Sequence, residues 1–528
     1  MKKLVSLFLV LALALGCMSF AAAEDGWITL RVEAYDREIT GFDVTNCWQL
    51  KYAQEHFGDP NKIKLEFVSY ARWTEGDLLT VALGGGNAPD IAMTYNGTLV
   101  QQCIDDEGIW QLDDLLNEYG PNLKAFLGEE LLGYGQSDHD GDGVKEQWYI
   151  PARRISRANV GNFIRKDFLE KLGMEKPTTV EELTEYLRQV KAQNLGGENT
   201  VPFSFGIYAP DPLYNVRRFT DAWVDFSQVT EEDWFAYARN PEMLPGSKEG
   251  YRWLNTLYHE GLIPEGFATN DDLATDTALT QGYNGFFSMQ PDQPWRTDKN
   301  YEIELEKAVP GASWTTVNPF FNASLGKYLH DMYAPAGLSV IIPKTASEEV
   351  AIAAIKYMDW MAIPENMFAM QNGIEGINYE GLTEDGIPYG VKSADAVPDE
   401  NKMHAGDICF ISNGLCYGDD AKNAAALALP FTGYEDEVVA SYADSLTDAW
   451  TQISFTETVQ AETDYGATVK SKQGEFLAAV VSCAPEEFDA VYDQGIQEIL
   501  NVGAQEMIDG FRQAYQNGNY RGVFPGNL

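Results

Sequence analysis

An acidic loop at residues 138–146 has the residue types and spacing of a calcium-binding loop. Carboxylates stand at positions 1, 3, 5 and 9 of that pattern, and Gly143 stands at position 6, where the chain must turn sharply. Position 12 carries Tyr149 instead of the usual glutamate, so a ligand from elsewhere would have to complete the shell. We favour a structural calcium ion here over a plain acidic turn. The candidate ligands are Asp138, Asp140, Asp142, Val144 (through its backbone carbonyl) and Glu146.

Arginines are grouped at positions 153, 154 and 157, in a chain with 37 basic and 80 acidic residues. A guanidinium group binds a carboxylate through two parallel hydrogen bonds, so Arg153, Arg154 and Arg157 could recognise an anionic ligand. The alternative is that they pair with acidic side chains of the chain itself. We favour that alternative, because 80 acidic residues offer partners everywhere.

Residues suited to catalysis form no recognisable motif. The chain has 5 histidines, and it lacks the zinc-binding His-Glu-x-x-His, the nucleophile motif Gly-x-Ser-x-Gly and a phosphate-binding glycine loop. The sequence therefore predicts a protein that is not an enzyme. A hydrolase that uses two carboxylates stays open as an alternative.

The first 23 residues predict export. Lys2 and Lys3 precede an apolar run, and small residues ending at Ala23 offer a cleavage site. Cys17 lies in an imperfect lipoprotein box and could carry a lipid anchor instead. We favour cleavage after Ala23. Either route delivers the protein to the cell surface, the periplasm or the exterior of a bacterium.

The pattern after the leader predicts alternating strands and helices. Apolar residues alternate at 28–34, 62–68 and 89–95, which is typical of strands, and helices are predicted near 45–56 and 74–83. This βαβαβ order with short connections predicts a parallel sheet flanked by helices. Further predicted elements are a capped helix after Thr179, a strand at 338–343, and helices at 348–362, 485–500 and 503–515.

Ligands of such sheets collect at the carboxyl ends of the strands. The first predicted strand is followed by Tyr35 and Asp36, and the third ends at Tyr95 and Asn96. We therefore expect these four residues near a binding edge.

Length and composition limit the fold further. A chain of 528 residues exceeds the roughly 250–300 residues of a single core, so two lobes or more are expected. A net charge of −43 disfavours nucleic acid and anionic lipid as partners and favours a monomer. After the leader, no apolar run reaches the ~18 residues of a membrane-spanning helix.

Cysteines after the leader number five, too few for a disulfide framework. Free thiols are the favoured interpretation. Pairing of Cys409 with Cys416 stays open.

Six segments of the chain resemble a known family, the extracellular solute-binding proteins of bacterial ABC importers, in their carbohydrate-binding group. They occur in family order across nearly the whole chain. The segments are LGGGNAPDI (83–91), GIWQLDDLL (108–116), FIRKDFLEKLG (163–173), KPTTVEEL (176–183), LYHEGLI (257–263) and GIEGINY (373–379).

The resemblance implies an α/β fold of the periplasmic-binding-protein type II class, with two lobes, a hinge and an interlobe cleft. One lobe would comprise residues 24–153 and about 335–410, and the other about 158–330 and about 430–528. The implied function is to capture an oligosaccharide and deliver it to the membrane permease without chemical change. A peptide or another solute, or a secreted glycan-degrading enzyme, remain alternatives.

The resemblance also selects candidate ligand-binding residues. Aromatic rings pack on the apolar face of a pyranose, and polar side chains bind its hydroxyl groups. The alternative for each tryptophan is core packing. A uronate-containing sugar would suit the arginines. The candidates are Tyr95, Asn96, Trp148, Arg153, Arg154, Trp223, Trp295, Glu375 and Asn378.

Some members of the family bind structural calcium, but in a loop that follows the helix of the KPTT segment. Here that region, residues 194–200, lacks the acidic spacing. The calcium prediction therefore rests on the loop at 138–146.

Overall fold

The computed structural model describes residues 26–39, 41–207, 211–269, 272–296, 300–392, 396–403, 405–418, 420–429, 431 and 433–528. The predicted leader, with Cys17 and the cleavage site after Ala23, lies outside the described residues. Among the helices within these ranges, none combines the length and the apolar character needed to cross a membrane.

The strands are β1 (Ile28–Asp36), β2 (Ile63–Ala71), β3 (Ala92–Thr94), β4 (Gln136–Ser137), β5 (Glu146–Gln147), β6 (Ile150–Arg154), β7 (Gly161–Arg165), β8 (Val201–Phe203), β9 (Asn284–Met289), β10 (Trp314–Thr316), β11 (Phe321–Asn322), β12 (Lys327–Tyr328), β13 (Asp331–Met332), β14 (Ala336–Ile341), β15 (Gly381–Leu382), β16 (Pro388–Tyr389), β17 (Ser412–Asn413), β18 (Trp450–Thr451), β19 (Ser454–Phe455) and β20 (Tyr520–Arg521).

The α-helices are α1 (Trp48–Ala53), α2 (Asp59–Asn61), α3 (Glu75–Gly84), α4 (Gly97–Asp105), α5 (Asp113–Tyr119), α6 (Pro121–Leu132), α7 (Lys166–Leu172), α8 (Val180–Ala192), α9 (Tyr214–Thr220), α10 (Glu231–Ala236), α11 (Ser247–His259), α12 (Asp272–Thr280), α13 (Tyr301–Ala308), α14 (Glu348–Met361), α15 (Pro364–Asn372), α16 (Ala405–Ile408), α17 (Asp420–Ala428), α18 (Glu435–Leu446), α19 (Gln460–Ser482), α20 (Phe488–Ile499) and α21 (Gln505–Gln516).

The chain folds into two compact units. Unit 1 contains the described residues up to Arg153, together with Leu338–Gly381 and Val391–Asn413. Unit 2 contains Arg154–Gly337, Leu382–Gly390 and Gly414–Leu528. Both units combine a sheet with helices, so the predicted α/β class is confirmed.

Unit 1 is organised around the predicted parallel strands. β1 pairs with β2 in parallel along its whole length, from Ile28 opposite Ile63 to Asp36 opposite Ala71. β1 also meets the chain leading into β3 through a parallel bridge between Val32 and Ile91. β3 then continues through β14 and β6 to β17. The expected βαβαβ unit is therefore present.

Helix boundaries in unit 1 follow local chemistry. α3 ends at the three glycines predicted to stop it, and Gly86 adopts φ +68°, which favours glycine over other residues. The helix predicted at 45–56 is shorter than expected. It begins at Trp48 and passes into a wider π-turn at Gln54–Gly58.

Unit 2 has a mixed four-stranded sheet with the order β10-β7-β9-β8. β7 pairs antiparallel with β10 and β9, and β8 pairs parallel with β9. The predicted cap of α8 is present, because Thr179 Oγ1 accepts a hydrogen bond of 3.2 Å from the Glu182 N–H. The second half of the expected capping box differs, since Glu182 accepts from Thr178 instead of the Thr179 N–H.

Five cysteines are described, of which Cys47, Cys103 and Cys483 are free thiols. Cys47, Cys103 and Cys409 are buried, whereas Cys416 and Cys483 are partly buried.

Candidate functional site

The carboxyl ends of three parallel strands lie along one edge of the unit 1 sheet. β1 ends at Asp36, β2 at Ala71 and β3 at Thr94. The residues that follow are held by the sheet yet remain at its edge, which is where α/β proteins bind ligands. The side chains at this edge, with one from β17, form what we call the strand-end cluster: Tyr35, Arg72, Trp73, Glu75, Tyr95, Asn96 and Asn413.

Arg72 is the centre of the strand-end cluster. Its Cζ lies 4.9 Å from the ring centroids of both Tyr35 and Tyr95, and 5.4 Å from that of Trp73. Its Nη1 is 3.9 Å from Glu75 Oε1, which is too far for a hydrogen bond. Its Nε is buried and has no hydrogen-bond partner among the described residues. The rings therefore hold the guanidinium while leaving it donors for a ligand.

Two aromatic rings of the cluster are accessible. Trp73 is 81% exposed, although large aromatic side chains are normally mostly buried. Tyr95 is 41% exposed, and its hydroxyl accepts a hydrogen bond of 2.5 Å from Nδ2 of Asn413. Accessible rings beside fixed polar groups suit a flat, partly apolar molecule that carries hydroxyl or acidic groups.

Two carboxyl groups are buried at this edge: Glu33, next to the cluster, and Glu75, a member of it. Glu33 Oε2 accepts a hydrogen bond of 2.9 Å from the Met93 N–H, and the Tyr35 hydroxyl donates to the Met93 carbonyl at 3.1 Å. Burial raises the pKa of Glu33 to about 8, so this carboxyl is mostly neutral at pH 7. Burial also raises the pKa of Glu75, despite the opposing effect of Arg72.

The strand-end rule placed Tyr35, Asp36, Tyr95 and Asn96 correctly at this edge. Asn96 caps α4, since its Oδ1 accepts a hydrogen bond of 3.1 Å from the Leu99 N–H. Asp36 Oδ1 similarly accepts from the Glu38 N–H at 2.7 Å. Both side chains thus shape the edge through their oxygens.

The acidic loop connects β4 to β5, which pair antiparallel. Its carboxylates already organise the turn. Asp138 Oδ2 accepts from the Gly143 N–H at 2.9 Å, Asp140 Oδ1 from the Asp142 N–H at 3.1 Å, and Asp142 Oδ1 from the Val144 N–H at 2.8 Å. The loop is therefore closed on itself by backbone donors.

The oxygen atoms of the loop fit a hard cation. Asp138, Asp140 and Asp142 each offer one carboxylate oxygen within 4.8 Å of the others. Asp138 Oδ1 and Glu146 Oε2 are buried and have no hydrogen-bond partner in the described part of the chain. Calcium takes carboxylate and carbonyl oxygens in flexible geometry, so this donor set suits it.

Two other predicted ligand-binding residues of unit 1 are engaged elsewhere. Trp148 is 7% exposed in the core, and its Nε1 donates to the Ser137 carbonyl at 3.3 Å. Arg153 Nη2 donates to the backbone carbonyls of Phe126 and Leu127 at 2.6 and 2.7 Å. Neither contacts the strand-end cluster, and their sugar-binding role stays a prediction.

Glu375 and Asn378 lie in the turn after α15. Asn378 is 6% exposed; its Oδ1 accepts from the Ile374 N–H, and its Nδ2 donates to the Asn401 carbonyl, both at 2.9 Å. Glu375 forms an isolated parallel bridge with Tyr379. These contacts hold the turn together, and the ligand-binding role of Glu375 and Asn378 stays a prediction.

Three predicted residues belong to unit 2. Trp295 is 5% exposed and packs edge-on against Phe163, with ring centroids 5.6 Å apart. Trp223 packs against Trp253 at 5.3 Å. Arg154 stacks on Tyr333, with its Cζ 4.2 Å from the ring centroid. All three contribute to packing within unit 2, and their binding role also stays a prediction.

Sequence reasoning missed Arg72, Trp73 and Asn413. The second strand was predicted to end at position 68, whereas β2 continues to Ala71. With the correct end, the rule that selected Tyr35 and Tyr95 would also have selected Arg72 and Trp73. Asn413 carried no local signal, because it reaches Tyr95 from a distant part of the chain.

Comparison with known proteins reveals both the family and the fold. The family described as bacterial extracellular solute-binding protein matches residues 49–368. No curated protein matches the chain.

Three solved structures are similar in fold. One is the alginate-binding protein AlgQ2 without calcium ion, at 17% identity and TM-score 0.63, covering 94% of this chain and 99% of that one. An extracellular solute-binding protein of Bifidobacterium longum subsp. infantis has 17% identity and TM-score 0.65, with coverage of 94% and 99%. The Streptococcus pneumoniae protein FusA, as an EF-hand mutant in complex with fructo-nystose, has 15% identity and TM-score 0.59, with coverage of 93% and 99%.

The family match covers more than half of the chain, and the resemblance inferred from the six sequence segments is confirmed. The chain belongs to the family of bacterial extracellular solute-binding proteins.

Proposed function

We propose that the chain is the substrate-binding component of a bacterial ABC importer, which captures an oligosaccharide and delivers it to the membrane permease. The observation that carries this proposal is the strand-end cluster, with Trp73 81% exposed beside Arg72 and Tyr95. Accessible rings of this kind match the apolar face of a sugar, and the adjacent donors match its oxygens. Similar structures named for alginate and fructo-nystose support a carbohydrate ligand.

The sharpest test measures sugar binding by wild type and by Trp73→Ala. Isothermal titration with a panel of neutral and acidic oligosaccharides should identify a ligand for the wild type. Trp73→Ala should weaken its affinity roughly 10-fold to 100-fold, since burying an aromatic side chain contributes about 1.5–3 kcal/mol.

Trp27→Ala is the matched control. Trp27 is 36% exposed and lies immediately before β1, at the opposite end of that strand from the cluster. Its replacement should leave affinity unchanged. Equal losses in the two variants would contradict a role for Trp73 in the site.

The alternatives give different results in the same titrations. A non-catalytic binding protein returns the sugar intact, whereas a glycan-degrading enzyme would release shorter products. A peptide or another solute as the natural ligand would show as binding of that solute and of no oligosaccharide in the panel.

We further propose that the loop at Asp138–Glu146 holds a structural calcium ion through the ligands named above. The unpartnered buried oxygens of Asp138 and Glu146 support this assignment. Two similar structures are also named for a missing calcium ion and for an EF-hand mutation. The ion would stabilise the β4–β5 hairpin and would not contact the sugar.

The description of the family as extracellular supports a location outside the cytoplasm of a bacterium. We propose a monomer that is released by cleavage after Ala23. Mass spectrometry of the secreted protein would show an amino terminus at Glu24, whereas a diacylated Cys17 would establish the lipid-anchored alternative.

A further inference from the structure

We propose that Arg72 selects a saccharide that carries a carboxylate, so that the preferred ligand of the strand-end cluster is a uronate-containing oligosaccharide. This inference rests on the proposed function and specifies its substrate class. Its starting point is the guanidinium of Arg72, which stacks on Tyr35, Trp73 and Tyr95 but makes no hydrogen bond to any described residue.

A second arginine at the same edge shows what a satisfied guanidinium looks like. Arg37 follows β1, and its Nε and Nη2 bind the two carboxylate oxygens of Asp407 at 2.5 and 2.9 Å. Asp407 is 5% exposed, so the pair is well shielded from water. Arg72 occupies the equivalent position after β2, and none of the carboxylates that the structure describes takes the fork-shaped arrangement at Arg72 that Asp407 takes at Arg37.

The lack of such a partner is notable in a chain with 80 acidic residues. Glu75 Oε1 approaches Arg72 Nη1 only to 3.9 Å, and Glu75 Oε2 is buried without a hydrogen-bond partner among the described residues. That distance leaves the guanidinium of Arg72 without a hydrogen-bonded carboxylate among the described residues. A carboxylate on the ligand would supply two acceptors in the plane of the guanidinium.

Two of the three arginines first considered for an anionic sugar are already hydrogen-bonded within the chain. Arg153 donates to two backbone carbonyls. Arg157 donates from Nε to the Tyr333 carbonyl at 2.9 Å and from Nη2 to Thr451 Oγ1 at 2.8 Å. Recognition of an anion is thus better assigned to Arg72, beside the accessible rings that would hold the sugar.

The test uses matched pairs of sugars that differ only in charge. Trimers of mannuronate, guluronate and galacturonate are titrated into the full chain, each beside its carboxyl-reduced neutral counterpart. We expect at least one acidic trimer to bind about 10-fold or more tightly than its reduced form, because a charged hydrogen bond is worth about 1.5–3 kcal/mol. This comparison needs no variant, so it does not depend on how a substitution folds.

Variants then assign the selectivity to Arg72. Arg72→Gln should abolish the preference for the acidic trimer, so that the acidic and reduced trimers bind the variant with similar affinity. Arg72→Lys should retain part of the preference, since it keeps the charge but loses the planar fork. Lys64→Gln is the control, because it removes one positive charge from the same strand at a position where the side chain is 62% exposed.

The outcomes separate this inference from the proposed function. If neutral sugars bind as tightly as acidic ones, or if Arg72→Gln retains the preference, the inference is wrong and the binding function stands. If no oligosaccharide of either charge binds, the proposed function fails and the inference fails with it.

Discussion

At the scale of single residues, Glu33 is a buried carboxyl group next to the strand-end cluster. It is 1% exposed, its Oε1 has no hydrogen-bond partner among the described residues, and Glu75 adds a like charge nearby. Burial raises its pKa from 4.5 to about 8. In the unfolded chain the same carboxyl ionises in the ordinary acidic range.

The first prediction is that Glu33 makes unit 1 less stable as the pH rises. Below about pH 4.5 the Glu33 carboxyl is protonated in both the folded and the unfolded state, and unit 1 has its full free energy of unfolding. As the pH rises to about 8 that free energy falls, because only the unfolded state ionises readily. The difference between the pKa values of Glu33 in the folded and unfolded states corresponds to about 3–5 kcal/mol of unfolding free energy. Urea unfolding of Glu33→Gln should therefore show a variant that gains stability over wild type between about pH 5 and pH 8.

Glutamine suits this test, since its amide oxygen can still accept the Met93 N–H at the Glu33 position. Glu130→Gln, at an exposed position in α6, serves as the control and should follow the wild-type pH dependence. Parallel curves for wild type and Glu33→Gln would mean that Glu33 is ionised in the folded protein.

The positions of single residues were predicted correctly where a local rule determines them. They were not predicted where tertiary packing determines whether a side chain is buried. The strand-end rule placed Tyr35 and Tyr95 at the edge. Trp148 and Trp295 were selected as candidates for sugar binding, yet both are buried, because residues distant in sequence cover them. Burial by distant partners leaves no mark in the local pattern.

At the scale of elements, the β4–β5 hairpin gives the second prediction. Calcium should raise the melting temperature of the wild type and EDTA should lower it. A ligand at 100 times its Kd contributes about 2.7 kcal/mol, which corresponds to roughly 5–10 °C for units of this size. Asp140→Asn should abolish most of the response, because it removes a charged ligand while keeping the side-chain shape.

Asp114→Asn is the control for this experiment. It removes one exposed carboxylate in α5, outside the loop, and should leave the calcium response intact. If EDTA changes neither the wild type nor Asp114→Asn, the loop is a plain acidic turn that its own backbone donors already stabilise.

Helices and strands could be predicted where their own apolar pattern was enough to identify them. β1, β2 and α3 were all anticipated within a few residues, since each carries its own apolar pattern and its own stop signal. The long helix α19 was not anticipated. It buries Gly466 and Gln473 together with apolar residues, and Gln473 pairs with Glu242, far away in sequence. Because the buried polar side chain of Gln473 interrupts the apolar stripe of α19, the pattern alone does not predict the helix. The contact with Glu242 accounts for the burial of Gln473.

At the scale of the whole molecule, length and resemblance predicted two α/β bodies, and two compact units are found. The unit boundaries follow tertiary contacts that no composition shift marks. The short segment Leu382–Gly390, for example, belongs to unit 2 although unit 1 residues precede and follow it. The amino-acid composition of this segment does not differ in a way that predicts its assignment to unit 2.

Net charge gives the third prediction, which concerns the molecule as a whole. At −43 the acidic side chains repel one another, and this repulsion opposes the compact state. Salt shortens the range of the repulsion, from about 30 Å at 0.01 M to about 8 Å at 0.15 M. The melting temperature at neutral pH should therefore rise by roughly 2–6 °C as sodium chloride increases over that range.

The isoelectric point provides the control. Near pH 4.3 the net charge approaches zero, so the same increase in salt should leave the melting temperature almost unchanged. An equal rise at both pH values would show that salt acts through hydration of the surface, and self-repulsion would then not limit stability. The result also bears on the ligand, because a chain this acidic repels an anionic sugar at long range. Attraction to a uronate must then come from a local contact such as Arg72, which the surrounding acids do not neutralise by hydrogen bonding.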